Sequence, residues 1–267
     1  MLGLGNSLTG GAALGWEPSE IANLTMWLKV NTNITADQDS SNSAISHSSN
    51  AGDMEDADKI NAWNGYGGTS INAIQTTQGD KPHWEADAAD FGGVNSPGQN
   101  KHMDLSSDIV FDADTDFTIV VRTKPVSTAG RAIMGDSTQE FIRFEDSTTI
   151  RVKVNNLNNN DFDLASGSIA DDKYITIMIV RSDGATGNIN IYIRGEDSGY
   201  FDDTAAGTQF GDEIADAGEI TVSNLMATSD GTAEFKGLFK DVIIYDGTAV
   251  NSTQREQLFD YIENQSY

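Results

Sequence analysis

Three aspartates stand at alternate positions in "FDADTDFT" (111–118): Asp112, Asp114 and Asp116, just ahead of an apolar run. Carboxylates gathered on a loop, helped by backbone carbonyls, are what a hard cation such as calcium requires. A bound calcium is therefore one expectation; no cofactor is required. The segment lacks the glycine and the distal glutamate of a helix–loop–helix calcium site, so a solvated acidic turn stands beside that reading. "DQDSSN" (37–42) is a weaker segment of the same kind.

Sugar recognition calls for aromatic faces beside amide and carboxylate groups. Trp63 and Tyr66 lie among Gly and Asn in "AWNGYGG", Trp84 closes "KPHW", and Tyr200 precedes a Phe in "SGYFDD". These four are the candidate glycan-binding residues. Trp27, and Trp63 with it, also fit the alternative of core anchors.

Glycoside hydrolysis needs two carboxylates across one cleft, and on a single strand they must alternate to share a face. The nearest candidate, "FGDEIADAGEI" (210–220), spaces Glu213, Asp216 and Glu219 by three and three, which puts neighbours on opposite faces. The expectation is accordingly that the chain is not an enzyme. His47, His83 and His102 are scattered singly, and "GNSLTGG" (5–11) lacks the lysine of a phosphate loop.

The elements that must carry these residues read as strands. "LTMWLKV" (24–30), "FTIVVRT" (117–123), "TIRVKVN" (149–155), "NINIYIRG" (188–195) and "EITVSNL" (219–225) alternate with period two. "YITIMIVRS" (174–182) is apolar on both faces and reads as a central strand. Asp183-Gly184 with Thr186-Gly187 signals a hairpin, and Asp246-Gly247 a turn after the last strand. "VNSTQREQLFDYIEN" (250–264) then turns helical, with Asn251 and Gln254, or Thr253 and Glu256, as a capping box. Its stripe of Leu258, Phe259 and Ile262 must pack on the sandwich. The polar stretch from Asp37 to Asp58 reads as an exposed loop.

Quoted in order, "PSEIANLTMWLKVNTNIT", "INAWNGYGGTSINAIQTTQGDKPHW", "FTIVVRTKP", "RAIMGDS", "YITIMIVRSDGATGNINIYIRG" and "FKGLFKDVIIYDGTAVNSTQREQLFDYI" resemble the concanavalin A-like lectin/glucanase superfamily, in its laminin G-like branch. The resemblance implies an all-β jelly-roll sandwich of two antiparallel sheets with a short C-terminal helix over an edge or end. It spans about residues 18–265, with Asn64 where relatives carry a Trp-x-Asp pairing.

Composition sets the setting. The 267 residues hold 16 Lys and Arg against 41 Asp and Glu, a formal charge of −25, and no cysteine. Such a field repels nucleic acid phosphates and anionic lipid, so neither nucleic acid nor membrane is an expected partner. Disulfides are excluded. The first residues carry no basic segment, so no signal peptide is expected.

Residues 1–18 read as a Gly-rich arm and 19–267 as the sandwich, with Leu2, Leu4, Leu8 and Trp16 as assembly contacts. The domain is similar to phage capsid-decorating and tail-associated modules. The expectation is thus a multi-copy or homo-oligomeric virion protein of a marine phage, partnered by capsid or tail proteins and by host surface polysaccharide. The alternative is a free or appended bacterial lectin.

Overall fold

The computed structural model describes residues 15–30, 32–37, 44–46, 56, 58–85, 88–90, 101–155, 158–164, 169, 172–195, 207–228 and 233–264. Among these described residues there are nineteen strands. They are β1 (Leu24–Lys29), β2 (Ile34–Asp37), β3 (Ala44–Ser46), β4 (Lys59–Trp63), β5 (Ala73–Ile74), β6 (His83–Glu85) and β7 (Ala88–Asp90). Then come β8 (Met103–Phe111), β9 (Phe117–Ser127), β10 (Arg131–Gly135), β11 (Phe141–Phe144), β12 (Thr149–Val154) and β13 (Asn158–Asp163). The series ends with β14 (Ile175–Ser182), β15 (Asn188–Gly195), β16 (Thr208–Gln209), β17 (Ile214–Ala215), β18 (Ile220–Leu225) and β19 (Lys236–Asp246), followed by helix α1 (Ser252–Glu263). The strand at Ala44–Ser46, paired with β2, falls within the stretch read as loop and corrects that reading.

All pairings are antiparallel. One sheet runs β1–β19–β9–β14–β15, with β16 and β17 both on β15. The other runs β13–β12–β11–β10–β18–β8–β5–β4–β2–β3. The hairpin of β6 and β7 pairs with β4 on one side and β19 on the other, so hydrogen bonding passes from sheet to sheet. This is the all-β sandwich with a C-terminal helix that the residues led us to expect.

Period two sorts the side chains. Ile150, Val152 and Val154 of β12 face Ile119 and Val121 of β9 and Ile175, Ile177 and Ile179 of β14 within one buried core. Each such side chain contributes roughly 1.5–3 kcal/mol by leaving water. The other face of the first sheet is apolar too. Trp27, Val120, Met178, Val180 and Ile243 pack there with Leu258, Phe259 and Ile262 of α1. The helix therefore covers the outer face of the sheet, not an edge or end, and that is why β14 is apolar on both sides.

Both ends of α1 are fixed. The Asn251 side chain accepts from the Gln254 amide at 3.0 Å, and Gln254 Oε1 accepts from the Asn251 amide at 3.0 Å. At the far end, Arg194 reaches Asp260 and Glu263 at 2.8 Å each. The segment before β1 docks on the same side: the Tyr245 hydroxyl donates to the Pro18 carbonyl at 2.9 Å. Burial pushes that phenol well above its ordinary range, which keeps it a donor.

Candidate functional site

Two of the aromatic candidates have no face to offer a sugar. Trp63 closes β4 with its ring wholly buried and its Nε1 donating to the Lys29 carbonyl at 2.9 Å. Trp84, 3% exposed, belongs to the same core. Both are anchors, which corrects their reading as stacking residues. Tyr66 is half-buried, edge-on to Trp27 with ring centroids 4.6 Å apart, and the Lys29 ammonium lies 4.9 Å from its ring. Trp16 is half-buried against the edge of Tyr261 at 6.0 Å, an internal contact. Tyr200, Leu2, Leu4 and Leu8 lie outside the described residues.

The aspartate loop between β8 and β9 is built around a different cation. Arg181, at the end of β14, is fully buried and donates to the carbonyls of Asp112 and Thr115 at 2.7 Å each, and to that of Gly218. Asp116 accepts from the Gly184 amide at 3.2 Å, and Asp114 takes a left-handed backbone with φ 63°. The loop carbonyls that a calcium would use are thus committed to a guanidinium. Among the described residues no three acidic or histidine side chains, Asp112, Asp114 and Asp116 included, converge as a metal requires.

The outer face of the second sheet, which α1 leaves open, is unevenly exposed: Asp104 and Asn159 are exposed and Lys153 half-buried, while Phe141 and Asn224 are buried. Directly paired residues share a face, and the registers align one row across six strands: Asp104, Asn224, Gly135, Phe141, Lys153 and Asn159. Gly135 has a local reason. A Cβ there would stand 2.9 Å from the Phe141 Cβ, so the gap accommodates the aromatic. Phe141 lies beneath cations, with Arg143 Cζ 4.6 Å and Lys153 Nζ 5.7 Å from its centroid.

The next row sets Arg143 opposite Arg151, and Arg151 opposite Asp161. Like charges face to face destabilise a sheet, and Glu145 relieves them: it accepts from Arg143 at 2.7 Å and lies 3.2 Å from Arg151. Arg151 in turn grips Asp161 through both oxygens, at 2.5 and 2.8 Å. Asp161 is the leading cause holding the guanidinium above its ordinary value. One arginine therefore bridges two carboxylates, Glu145 and Asp161, on the open face.

The search along single strands could not find that pair. Glu145 follows β11 and Asp161 sits in β13, sixteen positions apart, and only the β11–β12–β13 ladder joins them. The available signal was the alternation "TIRVKV", which turns Arg151 and Lys153 outward. Of the acids searched first, Glu213 accepts from Asn190 at 2.7 Å and Asp216 from Asn160 at 2.8 Å, so they serve different strands.

Known proteins supply the frame. A model of the family described as the concanavalin A-like lectin/glucanases superfamily matches residues 97–254. No curated protein matches the chain. Among solved structures, an arabinofuranosidase complexed with arabinofuranosyl-α-1,2-xylobiose is similar with TM-score 0.56 and 11% identity, over 90% of this chain and 62% of that one. A variant α-L-arabinofuranosidase soaked with a 4-nitrophenyl arabinofuranoside gives 0.52 and 12%, over 90% and 61%. A Trypanosoma rangeli sialidase gives 0.48 and 12%, over 91% of this chain and 33% of that one.

The chain thus spans about three-fifths of the arabinofuranosidases and a third of the sialidase. At such identities the likeness is one of fold. It still corrects the expectation that the chain is not an enzyme: glycoside hydrolases share this fold, and a carboxylate pair need not come from one strand. The match over residues 97–254, on a two-sheet antiparallel sandwich, makes the chain a member of the concanavalin A-like lectin/glucanase superfamily.

Proposed function

We propose that the chain binds carbohydrate across the open face of the second sheet. The observation that carries this reading is the pair of aligned rows there: Arg143, Arg151, Lys153, Asn159 and Asp104 reach solvent beside the bridged acids Glu145 and Asp161, over the buried ring of Phe141. Amide, carboxylate and cationic groups set in one plane suit a sugar's hydroxyls. The test is titration calorimetry against oligosaccharides, starting with arabinose-substituted xylan fragments. Arg151→Ala and Lys153→Ala should weaken binding about tenfold or more; equal affinity in both variants, or no binding to any glycan, sinks the reading.

A second reading is hydrolysis at the same place, favoured by the two carboxylates joined through Arg151. A retaining glycosidase divides its work between two such groups, one the nucleophile and one the proton donor. Release of nitrophenol from an aryl arabinofuranoside tests it. Loss of that release in both Glu145→Gln and Asp161→Asn supports this reading, and its absence in the unaltered chain rejects it.

For where the protein works we propose a virion, in many copies beside capsid or tail proteins and facing host polysaccharide. Its support is compositional: a cysteine-free chain with a strongly acidic surface. Co-sedimentation with megadalton particles at a fixed ratio to a shell protein is the expected result. Sedimentation only at the size of the free chain speaks for a free lectin instead.

A further inference from the structure

Helix α1 places a cation where its own pattern calls for an apolar residue. Arg255 stands one turn ahead of Leu258 and Phe259, at the head of the stripe that packs on the first sheet. Its Cζ lies 3.9 Å from the ring centroid of Tyr192, a stacking distance. Two local costs attend it. The first turn of a helix disfavours a cation, and this one holds no acidic residue to offset it. Arg255 Nε is also buried without a hydrogen-bond partner, and an unmatched buried donor is costly. Among the described residues no carboxylate pairs with this guanidinium, in a chain of 41 acidic residues against 16 basic ones.

The ring beneath it is set among amides. Ile189, Ile191 and Ile193 of β15 point into the core, which turns Asn190 and Tyr192 to the outer face of the first sheet. Gln209 of β16 pairs with Tyr192 and so stands on the same face. Its Nε2 donates to Asn190 Oδ1 at 3.4 Å, and Asn190 Nδ2 donates to Glu213 at 2.7 Å. Gln209 and Glu213 are exposed, and Arg255, Tyr192 and Asn190 are half-buried. A guanidinium, a phenol and two side-chain amides thus meet where the first turn of α1 borders β15 and β16.

We infer that Arg255, Tyr192, Asn190 and Gln209 form a binding site for a carboxylate-bearing sugar, such as a uronic acid unit of a polysaccharide. A guanidinium takes a carboxylate through parallel N–H donors, and amides with a phenol suit ring hydroxyls. The single cation, with Glu213 nearby, matches one carboxylate better than a doubly charged phosphate. A bound carboxylate also supplies the negative charge that the start of α1 lacks. The site lies on the first sheet and is independent of the rows on the second. The chain's net field repels an approaching anion at long range. At about 0.15 M salt the Debye length is about 8 Å, which quiets distant acids while leaving direct contacts effective.

The test compares an oligogalacturonate with its methyl ester of equal length, by calorimetry at that salt concentration. The acid should bind about tenfold or more tighter than the ester, the scale of one charge-assisted pair. Arg255→Met keeps the stripe apolar. It should weaken the acid by a similar factor and leave the melting temperature unchanged or higher, whereas loss of a purely structural arginine would lower it. Gln209→Ala, at an exposed position, should also weaken binding and keeps the test open if Arg255→Met folds poorly. Arg151→Ala should leave binding unchanged, which separates this site from the second sheet. Equal affinity for acid and ester overturns the inference, as does unaltered affinity in Arg255→Met and Gln209→Ala. Loss in Arg151→Ala alone moves the ligand to the second sheet and overturns it too. Displacement by acetate at equal carboxylate concentration overturns the assignment to a sugar.

Discussion

The buried guanidinium of Arg181 donates to the carbonyl of Asp112 at 2.7 Å, from the end of β14 to the turn after β8. Two more carbonyls, those of Thr115 and Gly218, meet the same group. One side chain thus ties the β8–β9 turn and the Gly218 loop to the end of β14, and does with a covalently attached cation what a bound ion does elsewhere.

Arg181→Met should therefore cost about 3–5 kcal/mol, the range for removing one partner of a buried charged network. Chemical denaturation measures it. Millimolar calcium should leave the melting temperature of the unaltered protein unchanged, because the carbonyls are occupied. A rise of several degrees with calcium would show that the aspartate loop takes a metal after all.

Asp246, after β19, should make the fold pH-sensitive in an unusual sense. Burial first, and then the Asp112 charge, hold its carboxyl above the ordinary value of 3.8, although Arg181 opposes them. A carboxyl that keeps its proton more tightly when folded costs stability once ionised. Stability from this group is highest below the ordinary value and falls as pH rises through the shifted one. Asp246→Asn should raise the melting temperature at neutral pH, and the gain should vanish in acid.

Asp37 works the other way. Hydrogen bonds from Lys81, first, and Asn61 hold it below its ordinary value; the Lys81 ammonium stands 2.7 Å away. Its contribution is fully present above the ordinary value and is lost as pH falls through the lowered one. Asp37→Asn should lower stability at neutral pH and flatten the acid limb of a melting-temperature profile.

Asn251→Ala removes the cap of α1. The expected loss is about 1 kcal/mol, or roughly 2–4 °C in a chain of this size. Because α1 seals Trp27, Val120 and Met178, tryptophan emission should shift to the red if the helix detaches before the sandwich melts.

Much of this frame was legible in the residues. Alternation located β9, β12, β15 and β18, an apolar run on both faces located β14, the capping box at Asn251 and Gln254 formed, and Leu258, Phe259 and Ile262 were read correctly as a buried stripe. Asp183 and Gly187 both adopt the left-handed backbone that their hairpin turn needs. The docking place of α1 was not legible, because an apolar stripe states only that something must cover it. Trp63 and Trp84 misled because a tryptophan next to a turn-forming Asn-Gly or Lys-Pro pair fits a loop and a core equally well. The open face was missed because Glu145, Arg151 and Asp161 come from three segments, and only pairing makes them neighbours.

The helix that seals one side of the sandwich gives the molecule a front and a back. A tethered copy that presented its front would hold the rows proposed to bind sugar in one plane, so a repeating polymer could engage several copies at once. Each contact after the first would then proceed at the effective concentration set by copy spacing. Weak individual affinity would be enough for durable adhesion.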